Sequence, residues 1–244
     1  MTEILNLLPE TKGCAIILSG GLDSTIAMRL AVEKYGSENV SAITFFYGQR
    51  QAVEIEKAKE STTLLGVKHQ VIDATFLGQI AQGFSANVDR SIQMPTIKDI
   101  LGDPQPPTYL PNRNMIFLSI AAAYAEVQGV EYVIAGLQSV DIYNYWDTCK
   151  RFVDKMNEVT AENRKIKIKF IAPFVSLSKS DEIKILQELD GNIDLLKHTL
   201  TCYDPDENGL SCGTCPSCSE RINGMMKNGL VDPAPYAIEI PWKV

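Results

Sequence analysis

Short apolar segments that alternate with segments of helical periodicity are the feature that most restricts the fold of this chain. The apolar segments are rich in β-branched residues, as buried strands are, and the intervening segments place apolar side chains on one helical face. The predicted strands are 14–18, 40–47, 70–73, 131–136 and 166–171, and the predicted helices are 23–35, 51–65, 113–127, 147–163 and 179–189. Strands that alternate with helices form a parallel sheet covered on both faces, so we predict a doubly wound α/β domain.

The rest of the chain departs from this alternation and suggests its domain boundaries. We expect an N-terminal extension at 1–12, the α/β domain at 13–200, a small module at 201–228 and a C-terminal tail at 229–244. Within the domain, residues 74–109 are rich in Gly and Pro and are predicted to be a long loop or insertion.

The charge balance and the amino terminus exclude some classes of protein. There are 23 Lys and Arg residues against 30 Asp and Glu residues, a formal net charge of −7. This balance disfavours stable nucleic-acid binding, because phosphate neutralisation needs clustered Lys and Arg. The chain contains no long apolar run, and its start carries Glu3 rather than basic residues, so we expect no membrane span, no secretory leader and a cytoplasmic protein.

The hexad SGGLDS lies between the first predicted strand and the first predicted helix, where open α/β sheets bind ligands. Its two glycines allow successive N–H groups to point at one anion, and its hydroxyl groups add donors. Asp23 would repel a phosphate unless a divalent cation such as Mg²⁺ lies between them. The alternative is a tight turn in which Asp23 or Ser24 caps the helix. We predict an ATP phosphate site formed by Leu18, Ser19, Gly20, Gly21, Leu22, Asp23, Ser24 and Thr25.

Four cysteines lie close together near the carboxyl terminus: Cys202, Cys212, Cys215 and Cys218. Four sulfur ligands without a nearby imidazole favour tetrahedral Zn²⁺, and such a closed shell is structural rather than catalytic. An iron–sulfur cluster uses the same ligands and stays open as the alternative. We expect one zinc ion per chain.

The hexad resembles the pyrophosphate-binding loop of the ATP pyrophosphatases, which activate an oxygen of their substrate as an adenylate. Four more motifs are FYGQR at 46–50, LPNRN at 110–114, LSKS at 177–180 and TCYD at 201–204, the last leading into CGTCPSC. In combination, over residues 13–228, these motifs resemble the 7-cyano-7-deazaguanine synthase family.

The resemblance implies an adenine nucleotide α-hydrolase-like fold and an ATP-dependent C–N ligase. The family adenylates 7-carboxy-7-deazaguanine with ATP and Mg²⁺, lets ammonia displace AMP, and uses a second ATP to convert the amide to the nitrile. Free ammonia is the expected donor, and we expect a homodimer in which part of helix 113–127 could form an interface. The implied catalytic residues are Asp23, Ser24, Arg113 and Lys179. Arg50 is a further candidate for contact with phosphate, unless it pairs with Glu54.

Residues 141–149 depart from the family pattern DYSGYPDCR, which forms the deazaguanine side of the pocket. The candidate pocket residues are Asp141, Tyr143, Tyr145, Trp146, Asp147 and Cys149. Three of them, Tyr143, Trp146 and Cys149, differ from the family pattern. We favour a synthase with a compensated pocket. One alternative is a paralogue that conjugates the adenylated deazaguanine to an amine on a protein or small molecule. A tRNA-thiolating enzyme is the second alternative, disfavoured by the negative charge and the closed cysteine cluster.

Overall fold

The sheet of this protein has five strands, all parallel, in a computed structural model that describes residues 2–95, 105–139 and 145–243. The strands are β1 (Cys14–Ile17), β2 (Val40–Phe46), β3 (Lys68–Asp73), β4 (Tyr132–Ala135) and β5 (Lys169–Ile171). Their order across the sheet is β3-β2-β1-β4-β5, and every neighbouring pair is parallel. This confirms the predicted doubly wound α/β class.

Eight α-helices are described along the chain. They are α1 (Thr2–Leu5), α2 (Leu22–Tyr35), α3 (Val53–Leu65), α4 (Thr75–Ile80), α5 (Arg113–Gln128), α6 (Lys150–Thr160), α7 (Lys179–Asp190) and α8 (Pro216–Lys227). Three of them were not predicted: α1 lies in the N-terminal extension, α4 opens the 74–109 segment, and α8 begins inside the cysteine-rich module with Pro at its first position. Within the described residues, none of these helices is long and apolar enough to cross a membrane.

The hydrophobic core lies on both faces of the sheet, because side chains alternate in direction along each strand. On β1, Cys14 and Ile16 belong to the cluster formed with α2 and α7. Ala15 belongs to the opposite cluster, which α5 and α6 complete. A central strand that is buried on both faces has a continuous apolar sequence, and for this reason β1 is recognisable from the sequence.

The order of the strands creates a crevice at the carboxyl ends of β1 and β4. From β1 the chain continues to β2 on one side of β1, and it later reaches β4 on the other side, so the connections diverge at this point. The hexad follows β1, and Gly136 follows β4. A Cβ atom on Gly136 would lie 2.8 Å from the backbone nitrogen of Ser24. Glycine at this position therefore lets the end of β4 approach the start of α2.

Candidate active site and cysteine centre

A cavity of about 240 Å³ occupies the crevice at the ends of β1 and β4. The hexad forms one wall, and the opposite walls come from α3, α5, α7 and the segment before the cysteine cluster. Of the predicted loop residues, those that line the cavity are Leu18, Ser19, Gly21, Leu22, Asp23 and Ser24. Gly20 and Thr25 do not line it, and Thr25 is fully buried.

The hexad is held by its own hydroxyl groups and by one close backbone approach. The Ser24 Oγ accepts a hydrogen bond from the Ser19 backbone nitrogen at 3.1 Å, and the two hydroxyl oxygens are 3.0 Å apart. Gly20 has a φ of +87°, and a Cβ there would lie 2.0 Å from the Glu54 carbonyl oxygen, so only glycine fits.

The alternative interpretation of the hexad, in which Asp23 or Ser24 caps α2, is wrong. The N-cap residue of α2 is Gly21, and no side chain makes a capping hydrogen bond there. A helix N-terminus without a side-chain cap keeps N–H groups that can bind an anion.

Lys179 is the cation that accompanies Asp23 in this site. Its Nζ donates to the two carboxylate oxygens of Asp23 at 2.7 and 2.6 Å, and to Gln138 Oε1 at 2.7 Å. The Gln138 amide in turn donates to the Glu182 carboxylate and to the Leu177 carbonyl oxygen. The positive charge that Asp23 needs beside a phosphate, for which Mg²⁺ is predicted, is thus supplied in part by a lysine of the protein itself.

Gln138 and Glu182 were missed by the sequence analysis although they position Lys179. Glu182 is fully buried, and it lies one helical turn after Lys179 on α7. That spacing is the only signal in the sequence, and it gives no sign of Gln138, which follows β4.

Arg113 and Glu54 line the same cavity from α5 and α3. The Glu54 carboxylate accepts a hydrogen bond from Gln49 Nε2 at 3.1 Å. Removal from bulk water raises the pKa of Glu54 to about 7, although Gln49 and Arg113 oppose this shift. In the sequence, Glu54 is only a possible partner for Arg50, and its position in the first turn of a predicted helix gives no sign of the cavity.

A smaller cavity adjoins the first and shares Arg113 and Tyr203 with it. Two of the predicted pocket residues, Tyr145 and Asp147, line this smaller cavity. Burial raises the pKa of Asp147, although Arg113 opposes the shift, and Asp147 Oδ2 accepts from the Asn114 backbone nitrogen at 3.2 Å. The remaining walls come from Asn87, Thr108, Tyr109 and Leu110.

The structure places three other predicted site residues away from both cavities. Arg50 directs its guanidinium to the carbonyl oxygens of Asp89 and Ile92, so the predicted alternative pairing with Glu54 is wrong. Trp146 donates from its indole nitrogen to the Tyr109 hydroxyl at 2.9 Å, and Cys149 is the N-cap residue of α6. The candidates Asp141 and Tyr143 lie outside the described residues.

The four predicted cysteine ligands converge on one point, with all sulfur atoms within 4.8 Å of one another. The Cys212 and Cys218 sulfurs are 3.9 Å apart. A tetrahedral ion with bonds of about 2.3 Å to each sulfur spaces them about 3.8 Å apart. The cluster could therefore hold a single metal ion.

Backbone N–H groups surround these sulfur atoms. Cys202 Sγ accepts from the nitrogen of Cys212 at 3.3 Å, and Cys215 Sγ accepts from that of Cys218 at 3.4 Å, at the N-terminus of α8. Such donors stabilise thiolates and orient them toward a metal ion.

Arg221 of α8 connects the cysteine module to the floor of the larger cavity. Its buried guanidinium pairs with Asp232 and donates to the hydroxyl groups of Thr199 and Thr201 at 2.8 and 3.0 Å. Between these threonines, the Leu200 backbone nitrogen donates to the Gly20 carbonyl oxygen at 2.9 Å. The hexad and the module that could hold a metal are therefore joined through Arg221.

Comparison with known proteins extends these observations. Residues 13–229 match the family described as "Queuosine biosynthesis protein QueC". A 7-cyano-7-deazaguanine synthase of Oceanobacillus iheyensis is 37% identical over 228 residues, which cover 92% of this chain and 98% of that protein. The synthase of Clostridium kluyveri is 38% identical over 231 residues, with coverage of 92% and 98%. Among solved structures, NMN synthetase from Francisella tularensis aligns with a TM-score of 0.47 at 17% identity, covering 94% of this chain and 85% of that one. Since the family match and the sequence relatives span nearly the whole chain, this protein belongs to the QueC family.

Proposed function

We propose that the protein is an ATP-dependent ligase that converts 7-carboxy-7-deazaguanine and ammonia into 7-cyano-7-deazaguanine. The observation that supports this most is the pair of adjoining cavities that share Arg113 and Tyr203. In this proposal ATP binds in the larger cavity against the hexad. The pyrimidine edge of the deazaguanine enters the smaller cavity, and its carboxylate meets the α-phosphate beside Arg113.

The proposed chemistry has two activation steps. A carboxylate oxygen attacks the α-phosphorus of ATP, and pyrophosphate leaves. Ammonia then attacks the acyl carbon, loses a proton and expels AMP, which gives the amide. In the second round the amide oxygen attacks the α-phosphorus of another ATP and pyrophosphate leaves. Loss of AMP and of both amide protons gives the nitrile.

The residues of the larger cavity have distinct proposed roles. The N–H groups of the hexad bind phosphate, and Arg113 and Lys179 stabilise the negative charge that develops on the transferred phosphoryl group. Glu54 accepts the proton that the attacking ammonia loses, since a carboxylate with a pKa of about 7 can take up a proton at neutral pH. Asp23 is the proposed ligand of the Mg²⁺ that accompanies ATP, and its side chain keeps 22% exposure beside Lys179.

Zn²⁺ is the proposed occupant of the cysteine centre. The sulfur spacing suits one ion, whereas a four-iron cluster would separate the sulfurs because each cysteine binds a different iron atom. A zinc ion with four cysteine ligands stabilises the folded module and leaves no open position for a substrate.

Reaction of the purified protein with ATP, Mg²⁺, ammonia and 7-carboxy-7-deazaguanine tests the proposal. Mass spectrometry should find the nitrile, with two AMP formed per product. Formation of the amide with one AMP, or of an adduct with another amine, would favour the conjugating paralogue instead. Absence of deazaguanine-dependent AMP formation would overturn the proposed function.

A further inference from the structure

The smaller cavity receives two residues, Asn87 and Thr108, from the segment 74–109, whose role the sequence left open. Asn87 is 3% exposed, and its Nδ2 donates to the Thr108 carbonyl oxygen at 2.6 Å. A carbonyl oxygen only accepts hydrogen bonds, so the amide nitrogen must be the atom that faces Thr108. The orientation of the Asn87 amide is therefore determined.

The other end of this amide, Asn87 Oδ1, is buried and has no hydrogen-bond partner among the residues that the structure describes. Burial of an unpaired carbonyl oxygen is costly, and in native proteins most such groups are paired. Asn87 lines the smaller cavity, so a ligand there that brings a donor within reach of Oδ1 would satisfy this acceptor.

The position of Asn87 is fixed by Arg50. The Arg50 backbone nitrogen donates to the Asn87 carbonyl oxygen at 2.9 Å, while its guanidinium donates to the carbonyl oxygens of Asp89 and Ile92. The Asp89 carboxylate closes the same segment by accepting from the backbone nitrogens of Gly83 and Ser91, both at 2.8 Å. Asn87 thus lies on a segment that is held in place at several points.

We propose that Asn87 selects the exocyclic amino group of the heterocyclic substrate, with Oδ1 accepting one of its N–H bonds, and that Arg50 is a positioning residue for Asn87. This inference rests on the proposed function. Asn87 and Asp147 both line the smaller cavity, and the side chain of each carries an oxygen that accepts hydrogen bonds. A 2-aminopyrimidin-4-one edge presents adjacent N–H donors from its ring and its amino group, which match two such acceptors.

The test compares binding of 7-carboxy-7-deazaguanine with that of the analogue that lacks the 2-amino group, by isothermal titration calorimetry. The unaltered protein should prefer the amino compound about tenfold or more, because the analogue leaves buried acceptors unpaired. In Asn87→Ala this preference should shrink by about tenfold, through weaker binding of the amino compound. Equal binding of both compounds by the unaltered protein would overturn the inference without any variant.

Ser85→Ala is the matched control. The Ser85 hydroxyl accepts from the Asn87 backbone nitrogen at 3.3 Å, but Ser85 does not line the cavity. This variant loosens the same segment and should keep the preference for the amino compound. If Ser85→Ala loses the preference as Asn87→Ala does, or if Asn87→Ala keeps it, the selection does not come from Oδ1.

Failure of this inference is distinguishable from failure of the proposed function. If the protein makes the nitrile but Asn87→Ala keeps its preference, only the inference about Asn87 falls. If neither compound binds and no nitrile forms, both the inference about Asn87 and the proposed function are wrong.

Discussion

Lys179 and Asp23 form an ion pair between the start of α7 and the hexad, with both carboxylate oxygens within 2.7 Å of the lysine nitrogen. The lysine is 8% exposed, so each charge depends on the other for compensation. The pair makes the conformation of the loop dependent on a helix that lies far along the sequence.

Asp23→Asn and Lys179→Met should each lower the rate of pyrophosphate release by about 10²–10³-fold, because both groups face the proposed phosphate site. Each single variant should also lose about 1–3 kcal/mol of unfolding free energy, because a partly buried charge loses this partner. The double variant should be more stable than the sum of the two losses predicts, which urea unfolding measures. Additive losses would show that the pair is not coupled.

The pKa of Glu54 predicts a pH dependence of stability. The ordinary pKa of this carboxyl group is 4.5, and its pKa in the folded protein is about 7. At pH values between these two, the unfolded chain releases the Glu54 proton while the folded protein keeps it. The folded state then binds more protons, so this group's contribution to the unfolding free energy is lost as pH rises through that range. Relative to the unaltered protein, Glu54→Gln should gain about 1–2 kcal/mol between about pH 5 and pH 8.

Urea unfolding at several pH values checks this, with Glu56→Gln as the control. Glu56 lies on the same helix, pairs with Lys59 and is exposed, so its substitution should not change the pH dependence. Parallel stability curves for Glu54→Gln and the unaltered protein would contradict the assigned shift.

The cysteine centre should contain one zinc ion per chain by elemental analysis of protein purified without added metal. Cys215→Ser should lower the metal content and lower the Tm by about 10 °C, because binding of a structural ion contributes folding free energy. Cys149→Ser is the control, since Cys149 lies outside the centre and its loss should leave the zinc content unchanged. Iron with acid-labile sulfide would show a cluster instead.

Arg50→Lys should raise the KM for the deazaguanine about tenfold and leave the KM for ATP unchanged. The reason is that the ammonium group of lysine cannot replace the planar guanidinium that binds the carbonyl oxygens of Asp89 and Ile92. A rise in the KM for ATP would instead support the phosphate contact that the family resemblance implies. Arg90→Lys, an exposed change in the same segment, should alter neither value.

The sheet and most helices were predictable because their signals are local. The central strands are apolar on both faces, and the hexad is one short stretch whose position after β1 is enough to place it in the crevice. The short helix α4 escaped prediction because Gly78 interrupts a segment with other turn-forming residues. Gly78 is needed there because a Cβ would lie 2.4 Å from the Tyr47 carbonyl oxygen.

The relationships that complete the site were not predictable, because their partners are distant in sequence or belong to the backbone. Asp23 and Lys179 are brought together only by the sheet order. The resemblance of its motif to the family makes Arg50 a candidate for contact with phosphate. In the structure its guanidinium binds main-chain carbonyl oxygens, which leave no trace in the sequence. Trp146 is predicted to line the pocket, but in the structure it lies behind the cavity lining, where its indole nitrogen donates to the hydroxyl of the lining residue Tyr109.

The contacts of Arg221 have a consequence for the order of events during synthesis. The charge of its guanidinium is compensated by Asp232, while its N–H groups hold Thr199 and Thr201 beside the hexad. Asp232 follows all five described strands in the sequence, so during synthesis the sheet can fold before the floor of the cavity has its final support. A nascent chain halted before Asp232 would carry a buried arginine without its counter-charge. The contacts that hold Thr199 and Thr201 beside the hexad are therefore complete only after this segment has been translated.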